Sequence, residues 1–385
     1  AYVYHGGPGT FDHIADWRGE GNQASSMYGW SVGPAGDVNG DGISDVIVGA
    51  PYMDAKYTDD GAAYVYHGAT AALVEESAWE FPSGDHNSLI GMDLSSAGDV
   101  NGDGYPDIII GTGETTGTVR VFHGSANGPS MIPNWTKSSG NPDRFGRGVS
   151  DAGDVNGDGY DDVLIAADWY SSGQTEEGAA YLYLGSPTGL GSSHAWMWES
   201  DDEMGRISDV LGGGDINGDG FADAIVGCRG CDHSSGKRGI VWLFFGSETG
   251  LSSSPDWTLV NPGNSANWWS FGLGMDCTGD INGDGYDDIV IGSPFDEPGS
   301  LDDNGRVFLF YGGSSGPSST ADWTWSGTHD YAKVGYAIST TGDVNGDGYA
   351  DIAIGAPGNT PTSIGGGQAY LFFGAPSTPA SSPDW

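Results

Sequence analysis

The sequence predicts an all-β fold, a β-propeller of four-stranded blades, on three observations. A nine-residue acidic segment recurs six times, starting at Asp37, Asp99, Asp154, Asp215, Asp280 and Asp343. A short apolar run follows every copy, and no stretch of chain sustains a 3.6-residue hydrophobic period. Self-similarity on this scale marks an architecture whose repeats bury their faces only against neighbouring repeats.

Within a unit the elements come in a fixed order. A Gly-bearing segment such as Tyr28-Gly29-Trp30-Ser31 precedes the acidic loop. The apolar run comes after it: Val46-Ile47-Val48, Ile108-Ile109-Ile110, Val163-Leu164-Ile165, Ala224-Ile225-Val226, Ile289-Val290-Ile291 and Ile352-Ala353-Ile354. Three consecutive apolar residues leave a strand no polar face, so both its faces are expected to be buried, as in sheets stacked face to face around an axis. An aromatic alternating segment follows, as in Ala63-Tyr64-Val65-Tyr66-His67-Gly68, and a Trp-bearing one, as in Ser77-Ala78-Trp79-Glu80, closes the unit. Gly, Pro, Asp and Ser separate the segments, which reads as one four-stranded sheet per repeat.

The counts do not match. The acidic loop occurs six times, but the aromatic segment occurs seven, near 2–6, 62–68, 117–124, 178–185, 239–246, 305–313 and 367–374. The closing Trp is read seven times as well, at Trp17, Trp79, Trp135, Trp198, Trp257, Trp323 and Trp385. Residues 1–27 are therefore expected to form a half-blade, third and fourth strands only, that closes or precedes the ring. Residues 28–385 are expected to form six complete blades of one propeller domain, in a six- or seven-bladed ring. The chain opens on Ala1-Tyr2-Val3-Tyr4-His5-Gly6, in the manner of a strand interior, with neither an initiator Met nor a signal peptide. The expectation is a processed chain, or a piece of a longer parent.

Composition narrows the function classes. In 385 residues the apolar share is 37% and the aromatic share 12%, too much for a disordered acidic tail despite a net charge of −41. No run approaches the apolar length of a membrane-spanning helix, so membrane insertion is not expected. Only 12 Lys and Arg stand against 53 Asp and Glu, which argues against nucleic acid, since phosphate binding needs clustered basic residues. A salty habitat would also favour such acidity, but the loops alone explain eighteen of the Asp residues. Three cysteines make no disulfide framework; Cys228 and Cys231 either close a small loop or stay as thiols, and Cys277 is odd.

The acidic segment, Asp-x-Asn-x-Asp-Gly-x-x-Asp, places oxygen side chains at positions 1, 3, 5 and 9. Gly at positions 4 and 6 permits the positive φ values that fold a loop around an ion. The expected ligands are Asp37, Asn39, Asp41 and Asp45 with the carbonyl of Ile43, then Asp99, Asn101, Asp103 and Asp107 with Tyr105. The third and fourth sets are Asp154, Asn156, Asp158 and Asp162 with Tyr160, and Asp215, Asn217, Asp219 and Asp223 with Phe221. The last two are Asp280, Asn282, Asp284 and Asp288 with Tyr286, and Asp343, Asn345, Asp347 and Asp351 with Tyr349. Oxygen-only donors in this number fit Ca²⁺ better than Mg²⁺, and Zn²⁺ would require His or Cys. An Asx-rich turn without metal explains one copy, but not three mutually repelling carboxylates in nine residues six times over. About six calcium ions are expected in a structural role; they would move the net charge from −41 to −29.

These motifs resemble the FG-GAP repeats of the integrin alpha-subunit propeller, which also occur in microbial surface proteins. The Phe-Gly element stands at Phe145-Gly146 and Phe271-Gly272, softened to Tyr28-Gly29, Ile90-Gly91, Met204-Gly205 and Val334-Gly335. Gly-Ala-Pro is intact at Gly49-Ala50-Pro51 and Gly355-Ala356-Pro357 and close at Gly292-Ser293-Pro294. It is altered at Gly111-Thr112-Gly113, Ala166-Ala167-Asp168 and Gly227-Cys228-Arg229. The resemblance covers nearly the whole chain and implies a propeller with calcium loops in each first hairpin, in an extracellular setting. Calcium loops in every complete blade, and half of a seventh blade missing, depart from the integrin pattern and favour a microbial surface protein over an animal receptor.

In a four-stranded blade the first turn lies on one face of the disc, and the second turn and the connection to the next blade lie on the other. Ligand binding is therefore expected opposite the calcium loops. Residues breaking the repeat there are Asp168-Trp169-Tyr170, Trp268-Trp269, Tyr52, Tyr57, His233, Lys237-Arg238 and Tyr331. Trp169, Tyr170, Trp268 and Trp269 are the candidate ligand-binding residues, as exposed aromatics suit sugar stacking or a protein hot spot; the alternative is that they cover gaps between blades. His5, His67 and His123 share a position occupied elsewhere by Leu184, Phe245, Tyr311 and Phe373, which reads as packing. The other histidines lack recurring partners, and pairs such as Asp161-Asp162 belong to the loops, so no enzyme is expected. Asn134-Trp135-Thr136 is a lone glycosylation sequon.

The expected function is a calcium-stabilised extracellular module for adhesion that binds a protein or glycan partner. The alternative is a structural subunit of a cell-surface layer, sheath or extracellular fibre, assembled from copies of itself by strand addition at the open half-blade. A hydrolase would need a catalytic domain elsewhere.

Overall fold

The structure, a computed structural model, describes residues 1–7, 14–70, 73–232, 238–263, 271–358, 360 and 366–385. All regular structure among them is β-strand, and no helix is long and apolar enough to cross a membrane. The described chain falls into two compact units, the first holding Ala1–His5 and the chain through Asp201, the second Gly6, Gly7 and Asp202–Trp385.

The first unit contains three four-stranded antiparallel meanders. Their strands are Val32–Gly36, Asp45–Ala50, Ala62–Tyr66 and Trp79–Pro82; Asp93–Gly98, Asp107–Gly111, Val119–Phe122 and Trp135–Lys137; and Phe145–Gly153, Asp162–Ala167, Ala179–Tyr183 and Trp196–Glu199. A separate strand pair, Tyr2–Val3 with Trp17–Arg18, supplies the expected third and fourth strands of the N-terminal half-blade. The second unit repeats the plan with Ile207–Gly214, Asp223–Asp232, Arg238–Phe244 and Trp257–Val260, then Met275–Gly279, Asp288–Ser293, Arg306–Phe310 and Trp323–Ser326. Its last sheet has three strands, Ala337–Thr340, Ile352–Ala356 and Gln368–Phe372. Trp385 stands at the closing position there, since the Asp384 amide donates to Leu371 O as Asp322 donates to Leu309 O in the preceding blade. These are the six blades of the predicted β-propeller; within the first unit the N-terminal pair packs on the first blade, where Trp17 shares a core cluster with Val48 and Tyr66.

The second strands are enclosed on both faces, as their unbroken apolar runs require: all of Asp107–Gly111, Asp162–Ala167 and Asp288–Ser293 is buried. The larger core clusters span adjacent sheets, for example Val119, Val121 and Ile109 with Val163, Ile165 and Tyr181. Blade is tied to blade by one recurring bond. The third residue after a third strand donates its amide to position 2 of the preceding blade's acidic loop: Ser125 to Val38 O, Ser186 to Val100 O, Gly313 to Ile216 O and Ala375 to Ile281 O. Gly7 makes the same bond to Val344 O at 2.8 Å.

The closing Trp is a second tie. The indole N–H donates to a backbone carbonyl of the next blade in Trp79 to Ser130, Trp135 to Gly191 and Trp323 to Ala380. One reading from sequence needs correction. Register pairs Leu182 with Trp196, as Val65 pairs with Trp79, so Trp196 rather than Trp198 closes the third blade. The two tryptophans are two residues apart on one strand face, so alternation alone could not separate them. Cys228 and Cys231 form a disulfide, and Cys277 is a buried free thiol.

Candidate functional site

Each acidic segment joins the first and second strands of a blade, and all six fold alike. In the second, the Asp103 amide donates to Asp99 Oδ1 at 3.0 Å and to Asn101 Oδ1 at 2.8 Å, and the Gly104 amide to Asp99 Oδ2 at 2.8 Å. The residues expected to lend carbonyls, Ile43, Tyr105, Tyr160, Phe221, Tyr286 and Tyr349, each donate their own N–H to the carboxylate at position 5. Position 9 begins the second strand in five blades and immediately precedes it in the sixth. Its carboxylate takes the amide at position 2 and that of the Gly after the third strand, as Asp107 takes Val100 and Gly124.

Both loop glycines have positive φ, Gly102 at 70° and Gly104 at 89°. They differ in surroundings. A Cβ on Gly102 would lie 2.6 Å from the Tyr160 ring of the next loop, whereas Gly104 faces open space. Tyr105 crosses Gly40, Tyr286 crosses Gly218 and Tyr349 crosses Gly283 in the same way, so position 7 covers the neighbouring loop. Asp161, at position 8, accepts the Asp99 amide of the loop before it, and Asp287 accepts that of Asp215. The Asp161-Asp162 pair is thereby occupied in structure.

At position 9 burial disfavours the charged form of the carboxylate. Asp107, Asp162, Asp223, Asp288 and Asp351 are fully buried, and Asp45 is nearly so. Burial pushes Asp107 up to about 8 and Asp162, Asp223 and Asp288 up to about 7, the backbone donors oppose this, and the other loop carboxylates raise them further. Asp45 and Asp351 move in the same direction, chiefly through burial. A buried carboxylate at position 9, one at position 1 that is half-buried in all loops but the last, an exposed one at position 5 and an amide oxygen form a hard-oxygen donor set, which fits Ca²⁺. Asp37, Asn39, Asp41 and Asp45, and their equivalents in the other loops, would hold it.

His67 and His123 lie with their ring edges against Gly128 and Gly189 of the following blade, as Phe245 lies against Gly316, which is a packing position. Among the aromatics at the opposite end of the blades, Trp169 is half-buried under the Arg144 guanidinium, 4.5 Å from its ring centre, and Arg144 pairs with buried Asp168 at 3.1 Å. Tyr170 packs on the blade core, and its hydroxyl donates to Glu199 Oε1 at 3.3 Å. Tyr57 lies tilted against His86 with centroids 4.0 Å apart, and Tyr331 is exposed. Trp268, Trp269, His233 and Lys237 lie outside the described residues, as does the side chain of Arg238.

The sequence reading missed one group. Glu177, Glu199 and Asp201 place carboxylate oxygens within 4.8 Å of one another, and among the described residues this is the one trio of acidic, His or Cys side chains that close. They are 22 and two residues apart in the chain, and only the register of Ala179 with Glu199 brings them together.

A family model described as the FG-GAP repeat matches residues 28–66, 148–183, 277–310 and 334–372, and one described as an FG-GAP-like repeat matches 99–165. The chain is similar to integrin alpha-PS2 of Drosophila melanogaster, 38% identical over 142 residues, which is 32% of this chain and 10% of the relative. It is similar to phosphatidylinositol-glycan-specific phospholipase D of Bos taurus, 33% identical over 247 residues, 60% of this chain and 28% of the relative. It is also similar to integrin alpha-6 of Homo sapiens, 33% identical over 163 residues, 40% of this chain and 13% of the relative. In each case the match spans well under a third of the relative's length. With repeat motif, blade topology and family model in agreement, the chain belongs to the FG-GAP repeat proteins as an integrin alpha-like β-propeller.

Proposed function

We propose that this chain is a calcium-stabilised extracellular β-propeller of adhesion type, which binds a protein or glycan partner and does not itself catalyse a reaction. The observation that carries the calcium reading is the buried aspartate at position 9, repeated six times with the same backbone donors and with two further carboxylates in the same loop. Ca²⁺ bound there would neutralise charge that otherwise opposes folding and would tie the first strand to the second. Stabilisation follows by linkage, about 2.7 kcal/mol per site at a hundredfold excess over Kd. The likeness to integrin alpha chains supports the adhesion role and the extracellular setting. One relative bears an enzyme's name, but the features repeated through this chain are metal loops and packing aromatics.

For the partner we propose the end of the blades opposite the loops, with Trp169 and Tyr170 as contacts and Trp268 and Trp269 as further candidates. For residues 1–27 we propose a half-blade, on the strength of the Gly7–Val344 bond, ahead of the blades in 28–385. Binding of the full chain to arrays of glycans and of immobilised extracellular proteins, in calcium and in chelator, tests the reading. A ligand bound by the native chain and lost in Trp169→Ala with the melting temperature preserved is the expected result. Binding that survives Trp169→Ala and chelation alike would refute the proposed face.

A further inference from the structure

We infer that the third blade carries a seventh divalent-cation site, formed by Glu177, Glu199 and Asp201 at the end of the blade opposite its acidic loop. Glu177 lies in the connection between the second and third strands and is fully buried. Its Oε1 accepts the Ser172 amide, while its Oε2 is buried and has no hydrogen-bond partner among the described residues. Its carboxylate meets those of half-buried Glu199 and exposed Asp201 within 4.8 Å. Ligand oxygens 2.3–2.6 Å from Ca²⁺ lie up to about 5 Å apart across the ion, so the trio is spaced as a calcium shell requires. Among the described residues, no Lys or Arg pairs with any of the three.

Comparison between blades shows what is particular to the third. The residue matching Glu177 in the first blade is Asp60, whose oxygens accept the amides of Ala55, Lys56 and Tyr57. In the fifth it is Asn304, whose amide group donates to Gly327 O. Glu199 is matched by Pro82 and Ser326, which pair with Ala62 and Arg306 as Glu199 pairs with Ala179. In the first blade the buried carboxylate is fully satisfied, and in the fifth the Asn304 Oδ1 is buried without a partner but carries no charge; in both, the strand opposite offers no acid. In the third blade it has a free oxygen and two acidic neighbours, and an unpaired buried anion is costly unless a cation meets it. Oxygen-only donors select a hard divalent ion, Ca²⁺ first. The exposure of Asp201 leaves part of the shell for water or for an acidic group of a partner.

The test is the number of calcium ions bound per full-length chain, with the ion positions read from anomalous scattering in crystals soaked with Tb³⁺. Glu177→Gln and, separately, the double variant Glu199→Gln/Asp201→Asn should each lose one ion per chain and leave those at the Asp loops in place. The native crystal should show a Tb³⁺ peak between the three carboxylates. The double variant alters less buried positions, so it decides the question if Glu177→Gln does not fold. An unchanged ion count in the double variant, or Tb³⁺ at the loops with no peak at the trio, would overturn the inference. Loss of the loop ions with the trio still occupied would instead refute the calcium reading of the loops.

Discussion

The amide of Gly124 donates to Oδ1 of Asp107 at 2.9 Å, across from the loop that Asp107 closes. With Val100 on Oδ2, a single buried side chain joins loop, second strand and third strand. Asp107→Ala leaves two buried donors unpaired, at about 1–3 kcal/mol each. The variant is expected to lose about 2–5 kcal/mol in urea unfolding even in chelator, and more in calcium. A loss confined to calcium would mean that Asp107 acts only as a ligand.

Gly102 and Gly104 separate backbone strain from steric room. Gly104→Ala meets only the cost of positive φ, about 1–2 kcal/mol. Gly102→Ala meets that cost and the Tyr160 ring as well, so its melting temperature should fall further. In a Tyr160→Ala background the two alanine variants should become equivalent.

Trp79 tests the tie between blades. Its indole bonds Ser130 O at 3.0 Å and packs edge-on to Phe122 at 5.0 Å. Trp79→Ala should cost about 3–5 kcal/mol, and Trp79→Phe markedly less, because most of the apolar contact remains. Equal losses in the two variants would show that the hydrogen bond outweighs the packing.

Burial raises Asp151 to about 7, with Asp161 adding to the shift and the Gly153 amide opposing it. Since its ordinary value is 3.8, the native state holds a proton between about pH 4 and 7 that the unfolded state releases. The stability this contributes is fully present below the unfolded value and is lost as pH rises through the native one. In saturating calcium, the native chain should therefore lose more stability from pH 5 to pH 8 than Asp151→Asn does. Parallel pH profiles by differential scanning calorimetry would contradict this.

The blades were legible because period and strand signal coincide. Acidic turn, apolar run and aromatic alternation recur in one order, and each feature needs only its own few residues to be recognised. What failed depended on register or on neighbouring blades. Trp196 and Trp198 share a strand face, and only the pairing with Leu182 separates them. The cover of Gly102 by Tyr160 links residues 58 apart, and a glycine already explained by φ gives no sign of a second constraint. Glu177, Glu199 and Asp201 form no local motif. Their signal was a departure from the repeat, an acid where other blades have Pro82 or Ser326.

If calcium at the six loops holds the fold, its removal must lower the stability of the whole chain. The most direct measurement is the melting temperature of the full chain by calorimetry, in millimolar calcium and in excess chelator at neutral pH. A large fall on chelation is expected, reversed when calcium is restored and not when magnesium is supplied at the same concentration. Coincident transitions in calcium and in chelator would contradict it.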